Sequence, residues 1–144
     1  MTTLHWRLDQ VGIDWNELLR LYRIAPLGEK KPEHLQSSFT NSRFKCFVFS
    51  DGALVGAGRA LADGAACSYT CDVAVHPDYQ GRRLGKAIVS RLRDLSTGHR
   101  KIILYANPGK EDFYRKLGFL RMRTAMAVFQ DQENAGRSSL VDET

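Results

Sequence analysis

A strand, a loop and a helix follow one another in the middle of this chain, and this order constrains the fold more than any other feature. Residues 68–76 alternate between two sets of side chains, which is the period of a β-strand with two different faces. The first set is Tyr69, Cys71, Val73 and Val75, and the second is Thr70, Asp72 and Ala74. After Pro77 and Gly81 the apolar residues recur at helical spacing, and Gly98 ends the predicted helix. The apolar run at 102–105 predicts a second strand, so the whole unit predicts a parallel pair joined by a crossover helix.

The flanking segments predict the remaining strands and helices of one α/β domain over residues 1–129. Strands are expected at 4–8, 44–49, 54–61 and 124–129, and helices at 14–22, 32–38 and 109–117. Turns at 50–52 and 63–64 connect three of the strands in series as an antiparallel meander. The predicted fold class is therefore a mixed, mostly antiparallel central sheet with helices on both faces.

Composition places the chain among compact globular proteins, because 43% of its 144 residues are apolar and 26% are charged. No apolar run approaches the ~20 residues that a membrane-spanning helix needs, and the first residues do not resemble a secretory signal. We therefore expect a cytoplasmic protein. Residues 130–144 are acidic and contain only three apolar side chains, so we expect this tail to be disordered.

Positive charge is concentrated between residues 82 and 101, within a chain of formal net charge +5. The charged residues of this segment are Arg82, Arg83, Lys86, Arg91, Arg93, Arg100 and Lys101, opposed only by Asp94. Such a segment indicates an anionic partner. The first turn of a helix leaves main-chain N–H groups unpaired at the positive end of the helix dipole, so the loop at 81–86 predicts a diphosphate site. Gly85 would let such a ligand approach the main chain closely.

Two other interpretations of the basic segment stay open. One is an ordinary strand–turn–helix connection with a solvated basic face. The other is a nucleic-acid-binding surface, although no aromatic residues alternate with the cations as in single-strand binders. The loop has neither the GxxxxGK[ST] phosphate-loop pattern nor the GxGxxG dinucleotide pattern. The three cysteines have no second pair and no adjacent histidine, which predicts no metal site and no disulfide framework.

The sequence resembles the Gcn5-related N-acetyltransferase (GNAT) family in three segments that occur in the family's order. They are Val-His-Pro-Asp-Tyr-Gln-Gly-Arg-Arg-Leu-Gly-Lys-Ala from residue 75, Leu-Tyr-Ala-Asn-Pro from residue 104, and Asp-Phe-Tyr-Arg-Lys-Leu-Gly-Phe from residue 112. The family's coenzyme A motif, Q/R-x-x-G-x-G/A, matches residues 80–85, except that Arg83 stands where the first motif glycine usually lies. Asp72-Val-Ala-Val-His-Pro and Leu-Tyr-Ala-Asn-Pro also resemble the arylalkylamine (serotonin-type) branch of the family.

The resemblance implies an acyl-CoA N-acyltransferase fold, in which the strand ending at Val75 splays from the strand at 102–106. It also implies an acetyl-CoA-dependent N-acetyltransferase without a metal. The cofactor-binding residues implied are Val73, Ala74, Val75, Gly81, Arg82, Arg83, Leu84, Gly85, Lys86, Asn107 and Tyr114. Tyr114 matches the family's general acid, because a phenol at the sulfur can protonate the departing thiolate. With Phe113 beside it, Tyr114 also fits an ordinary packing tyrosine.

An amine must lose a proton before it attacks, and Asp72 is our candidate for this step. Its carboxylate would act as a base or only attract the cationic amine, and a surface salt bridge is the third interpretation. We expect a small-molecule amine as the acceptor, with a protein acceptor and a homodimer as alternatives. We expect neither a nucleic-acid nor a membrane partner. A non-catalytic acetyl-CoA sensor is the main alternative function.

Overall fold

Five strands form one sheet in the order β1-β2-β3-β4-β5, in a computed structural model that describes residues 3–142. The strands are β1 (Leu4–Arg7), β2 (Phe44–Ser50), β3 (Ala53–Ala62), β4 (Cys67–Val75) and β5 (Lys101–Leu104). Pairing is antiparallel from β1 to β4, and the β4–β5 pair is parallel. The predicted mixed, mostly antiparallel sheet is confirmed.

Helices cover both faces of this sheet, as predicted. α1 (Trp15–Ile24) and α2 (Pro32–Thr40) pack on one face, and α3 (Leu84–Leu95) packs on the other. The core on the α1 and α2 side includes Tyr22, Phe39, Phe47, Leu54 and Ala74, and the core on the α3 side includes Val48, Val55, Ile88 and Leu92. Asp14 begins α1 by accepting a hydrogen bond from the Asn16 N–H at 2.9 Å. The predicted helix start is therefore confirmed.

The chain divides into two compact units, Met1–Leu104 and Tyr105–Thr144. The first unit contains the sheet, α1 to α3 and a 3₁₀ turn at Pro77–Tyr79. The second contains α4 (Glu111–Arg115) and α5 (Gln132–Arg137). None of the helices within residues 3–142 has the length and the apolar run that crossing a membrane requires.

One prediction for the second unit is wrong. The described chain has no strand at 124–129, where Met126 and Val128 are 95% and 92% exposed. An alternating pattern forms a strand only when a neighbour completes its hydrogen-bond ladder. The tail predicted to be disordered contains α5, which Asp131 caps by accepting from the Asn134 N–H at 2.9 Å and in which Ala135 is buried. Composition does not reveal such local contacts. Residues 143 and 144 of the tail lie outside the described residues.

β4 contains a β-bulge that the sequence analysis did not predict. Two of its residues, Asp72 and Val73, lie opposite the single residue Gly58 of β3, because the register of the two strands shifts there. Asp72 has a φ of 55°, in the left-handed region that residues with a side chain rarely adopt. A bulge of this kind bends the strand and changes which face the following side chains take.

The bulge corrects the predicted alternation of residues 68–76. The Ser68 hydroxyl lies 2.7 Å from the hydroxyl of Ser96, directly after α3. Val73 packs on the same α3 side, whereas Ala74 packs in the core on the α1 and α2 side. Ser68 and Val73 are five positions apart, and a regular strand would place them on opposite faces. The extra residue at the bulge is what brings both to one face.

Gly58 is glycine because α3 packs directly over it. A Cβ at this position would lie 2.9 Å from Ile88 Cγ2, 3.0 Å from Leu92 Cδ1 and 3.2 Å from Val73 Cγ2. These atoms belong to packed core side chains, so they have little room to move. The absence of a side chain at Gly58 therefore lets α3 and the bulged part of β4 pack closely.

Gly58→Ala should lower the free energy of unfolding by about 1–3 kcal/mol, because it overpacks a filled core. Urea denaturation measures the change. Gly136→Ala is the control, since nothing lies within 4 Å of a Cβ built there and alanine favours a helix. An unchanged midpoint for Gly58→Ala would contradict the close packing of α3 on β3.

Candidate active site at the open edge of β4

The edge of β4 that faces β5 is paired along only half of its length. β5 pairs with Cys67–Thr70, and the ladder ends where Thr70 lies opposite Leu104. β4 continues to Val75, so its last five residues have no ladder partner on the β5 side within the first unit. Because β5 itself ends at Leu104, the edge of β4 is open beyond Thr70 within the first unit.

The main chain of Val75 points towards this open edge. The N–H of the next residue, His76, donates to the Val55 carbonyl of the neighbouring segment at 2.8 Å. In an antiparallel pair, successive residues turn their main-chain groups to opposite sides, so those of Val75 and Val73 face away from β3. Ala74 lies opposite Ala57 and has its side chain in the core. The edge therefore offers the polar groups of alternate residues only.

The Val75 carbonyl already has a partner in the ligand-free chain. The side-chain amide of Gln80 donates to it at 3.2 Å, across the 3₁₀ turn. The Val75 N–H faces the same edge. A ligand that needs this carbonyl as an acceptor must share it with Gln80 or displace the Gln80 side chain.

The loop after β4 leads into a cluster of main-chain N–H groups at the start of α3. The first helical hydrogen bond in α3 runs from the Ala87 N–H to the Arg83 carbonyl at 3.0 Å. The N–H groups of residues 84–86 precede that bond and have no acceptor one turn back. A Cβ at Gly85 would meet only Val75 Cγ2, at 3.6 Å, so the fold itself does not require glycine there. The geometry is that of an anion-binding helix start.

Cationic side chains surround the same helix start. Arg82, Arg83 and Lys86 are all exposed, and the Arg82 guanidinium lies 5.1 Å from the centroid of the Tyr79 ring. A cavity of about 260 Å³ opens beside them. Its lining residues are Leu4, Trp6, Tyr79, Arg82, Arg83, Leu84 and Ala87. The rim is therefore positively charged, and its walls are apolar and aromatic.

Arg83 adopts a strained main-chain conformation at the first residue of this helix start. Its φ is 62° and its ψ is 16°, in the left-handed region, and no side-chain hydrogen bond caps the helix there. This conformation costs a residue with a Cβ about 1–2 kcal/mol. Gly81 shares the positive φ, at 80°, without that cost. The departure from the family motif thus replaces a glycine at a position that favours one.

Asp72 is held by three other residues at the bulge. Its carboxylate accepts from Arg59 Nε at 2.9 Å through one oxygen and lies 3.5 Å from Lys30 Nζ through the other. Its main-chain carbonyl accepts from the Tyr22 hydroxyl. Arg59 also donates to the Ser42 hydroxyl at 3.2 Å. The salt-bridge interpretation of Asp72 is therefore observed, and it is a partly buried one.

Tyr22 serves as a fixed hydrogen-bond donor at this position. The residue is fully buried, and burial raises the pKa of its phenol well above the ordinary value, with the Asp72 carboxylate adding to the shift. The hydroxyl therefore stays protonated at physiological pH. Tyr22 ties α1 to the bulge, and the strained conformation of Asp72 persists because its surroundings determine it.

Asn107 and Tyr114 belong to the second unit. Asn107 is exposed, and its carbonyl accepts from the Lys110 N–H at 3.0 Å. Tyr114 lies in α4, between the rings of Phe113 and Phe119, with centroid distances of 5.0 and 6.2 Å and edge-to-face geometry. Burial raises the pKa of the Tyr114 phenol. The packing contact with Phe113 that the sequence suggested is present.

Comparison with known proteins decides the family. The model of the acetyltransferase (GNAT) family matches residues 13–119. The chain belongs to the GNAT acetyltransferase family. Its fold agrees, because a GNAT family acetyltransferase from Streptococcus pneumoniae superposes with a TM-score of 0.73, at 20% identity, over 91% of this chain and 100% of that one.

Curated relatives match this GNAT chain over part of their own length. The uncharacterized N-acetyltransferase ycf52 of Porphyra purpurea is 40% identical over 78 residues, which is 50% of this chain and 42% of that protein. The chloroplastic serotonin N-acetyltransferase 2 of Oryza sativa is 33% identical over 121 residues, which is 78% of this chain and 60% of that protein. The chain thus spans about half of the length of the curated relatives that it matches.

Sequence reasoning identified the loop of this GNAT chain and named Tyr22 only as a candidate aromatic wall of an acceptor pocket, but it missed Lys30, Arg59, the role of Gln80 and the contact of Tyr22 with Asp72. Lys30 and Arg59 lie 42 and 13 positions before Asp72 in the sequence, so no local pattern connects them. One feature of the sequence indicated the ion pair with Asp72, namely the isolated Arg59 within an otherwise apolar strand. A buried cation requires a carboxylate partner. The part of the chain that the structure describes contains no cluster of potential metal ligands.

Arg83→Gly should raise the free energy of unfolding by about 0.5–1 kcal/mol, measured by urea denaturation. Glycine removes the steric cost of the left-handed conformation, and its larger entropy in the unfolded chain offsets part of the gain. Arg83→Ala is the matched control, because it removes the guanidinium but keeps the Cβ. An equal gain in the alanine variant would assign the effect to repulsion among neighbouring cations instead of main-chain strain.

Proposed function

We propose that this chain transfers the acetyl group of acetyl-coenzyme A to a primary amine of a small molecule, by direct attack while both substrates are bound. The observation that carries the proposal is the position of the open edge of β4 directly before the N–H cluster at residues 84–86. A thioester and a diphosphate in one extended molecule would need these two binding elements next to each other. Family membership and the relatives' names support the reaction class.

The residues present fit coenzyme A. The N–H groups at 81–86 would hold the diphosphate, with Arg82, Arg83 and Lys86 adding charge attraction. The main-chain groups of Val73 and Val75 would pair with the amides of the pantetheine arm, as a further strand pairs with a sheet edge. Asn107 would contact the same arm. Thr70, where the β4–β5 ladder ends, has a buried hydroxyl with no hydrogen-bond partner among residues 3–142.

Acetyl-coenzyme A supplies the activated acetyl group, and the chain supplies hydrogen-bond donors at two atoms of the reacting centre. The Val75 N–H would donate to the thioester oxygen and stabilise the negative charge that forms there. Tyr114 would donate its phenolic proton to the departing sulfur. The phenol carries its proton at neutral pH, and burial raises the pKa of Tyr114 above its ordinary value.

Asp72 would bind the ammonium group of the acceptor. Each of its two oxygens already faces a cation, so the acceptor's ammonium would take the place of Lys30 beside one of them. Direct proton removal by Asp72 is the second role that this position allows. The name of the Oryza sativa relative supports a small arylalkylamine as the acceptor class.

Tyr114→Phe should lower turnover by about 10²–10⁴-fold, since it removes the proton donor for the leaving thiolate. Release of free thiol from acetyl-coenzyme A measures turnover, and calorimetry with coenzyme A shows whether binding is kept. Tyr114→Ala is the comparison, because it also removes the ring that packs between two phenylalanines. Equal, measurable turnover in Tyr114→Phe and the parent would assign Tyr114 a packing role. Coenzyme A binding without thiol release from any amine would support the sensor alternative.

Asp72→Asn should raise KM for cationic amines about tenfold and change kcat little, because it removes attraction to the substrate. The assay is a panel of arylalkylamines, aliphatic amines and peptide amines, with free thiol as the readout. Asp94→Asn is the control, since Asp94 is an exposed carboxylate on α3. A fall in kcat at constant KM would instead make Asp72 the base. Absence of coenzyme A binding in the parent would overturn the proposed function itself.

A further inference from the structure

The side chain of Lys30 turns inward from the segment between α1 and α2. Only 24% of it is exposed, whereas the next residue, Lys31, is exposed. Its ammonium nitrogen lies 3.5 Å from Asp72 Oδ1 and 5.4 Å from the centroid of the Tyr22 ring. A carboxylate and an aromatic face are two groups that bind an ammonium ion in proteins. Lys30 therefore presents a primary amine at the place proposed above for the amine of the acceptor.

Lys30 is chemically suited to react in this position, and its neighbour is not. Arg59, the other cation on Asp72, carries a guanidinium that stays charged and is no nucleophile at physiological pH. A lysine amine can lose its proton and attack a carbonyl. Asp72 directly precedes Val73, whose main chain faces the open edge of β4. The amine is thus held beside the bulge, where the open edge begins, three positions before Val75, whose N–H would hold the thioester oxygen.

We propose that Lys30 is acetylated by the chain's own active site. The inference rests on the proposed function, because it requires acetyl-coenzyme A at the open edge of β4. It goes further in naming the chain itself as an acceptor and Lys30 as the modified residue. Proximity alone favours this reaction over reaction at lysines elsewhere on the surface.

The step balances without a further reactant. Lys30 first gives one ammonium proton to the Asp72 carboxylate, which passes it to water. Lys30 Nζ then forms a bond to the acetyl carbon, the carbon–sulfur bond breaks, and the sulfur leaves with the bonding electron pair. The second amine proton passes to the sulfur. The products are acetylated Lys30, free coenzyme A and one proton in solution.

Acetylation would change the charge around Asp72. The amide of acetylated Lys30 is neutral, so the ion pair with Asp72 and the cation–aromatic contact with Tyr22 are lost. Asp72 then keeps Arg59 alone as its cationic partner and can accept an ammonium from outside. Lys30 would thus be the first amine to be acetylated. Until it reacts, its ammonium competes with the amine of an external acceptor for Asp72.

The test is mass spectrometry of the whole chain after incubation with acetyl-coenzyme A that carries a deuterated acetyl group. We expect one added acetyl group, located at Lys30 by peptide mapping, with a rate constant that does not depend on protein concentration. Initial acetylation at Lys30 should exceed that at Lys31 and Lys45 by about tenfold or more. Acetylation of Lys30 that is already present in the purified protein would also support the proposal.

Lys45 is the internal control for spontaneous acetylation. Burial lowers its pKa, so a larger share of its amine is neutral and ready to react without an enzyme. Lys30→Arg keeps a cation beside Asp72 and should abolish the labelling, whereas Lys31→Arg should leave it unchanged. Labelling that favours Lys45, or spreads over exposed lysines, would overturn the proposal. So would a rate constant that rises with protein concentration, since it would indicate reaction between copies.

Failure of this inference is distinguishable from failure of the proposed function. Calorimetry with coenzyme A and thiol release with the amine panel are measured on the same preparation. If coenzyme A binds and amines are acetylated while Lys30 stays unmodified, only the inference is wrong. If coenzyme A does not bind, the proposed function is wrong and the inference is overturned with it.

Discussion

The bulge at Asp72 is the constraint on which the rest of the site depends. One extra residue in β4 turns Val73 to the α3 side, gives Asp72 a left-handed conformation and directs its carboxylate to Arg59 and Lys30. The buried Tyr22 hydroxyl fixes the main-chain carbonyl of the same residue. Because α1, β3 and the segment after α1 all contribute a contact, the strained residue has one arrangement only. The open edge of β4 begins at the same place, directly after Thr70.

The two ends of the candidate site are the start of α3 and the bulge at Asp72, and they present different kinds of polar group. At the start of α3 the groups proposed to hold a ligand are main-chain N–H groups, whose positions the helix itself determines. At the bulge the proposed group is the Asp72 carboxylate, which side chains from distant parts of the sequence hold by ion pairs in a partly buried place. An arginine in a left-handed conformation at the first end, and an aspartate in one at the second, show that both ends retain local strain. Strain of this kind persists where surrounding contacts fix the main chain.

The sequence was informative where local rules determine the structure. The Asp14 cap, the stripe of α3 and the loop at 81–86 follow from spacing within one element, and all are present. The bulge was not predictable, because the packing of Gly58 under Ile88 and Leu92 sets it from another strand and a helix. The strand predicted at 124–129 is absent for a similar reason. An alternating sequence does not provide the neighbouring strand that its main-chain hydrogen bonds require. Lys30 and Arg59 reach Asp72 only through the fold.

Gln80 has a consequence for the chain before any substrate arrives. A strand with free N–H and C=O groups along one side is a template on which another polypeptide can add, and this is a common start of aggregation. The side-chain amide of Gln80 donates to the Val75 carbonyl, the last carbonyl on the open side of β4. Pro77, two residues further on, has no N–H with which a hydrogen-bond ladder could continue. The Gln80 side chain therefore occupies one acceptor of this edge, and a rotation of that side chain would free it.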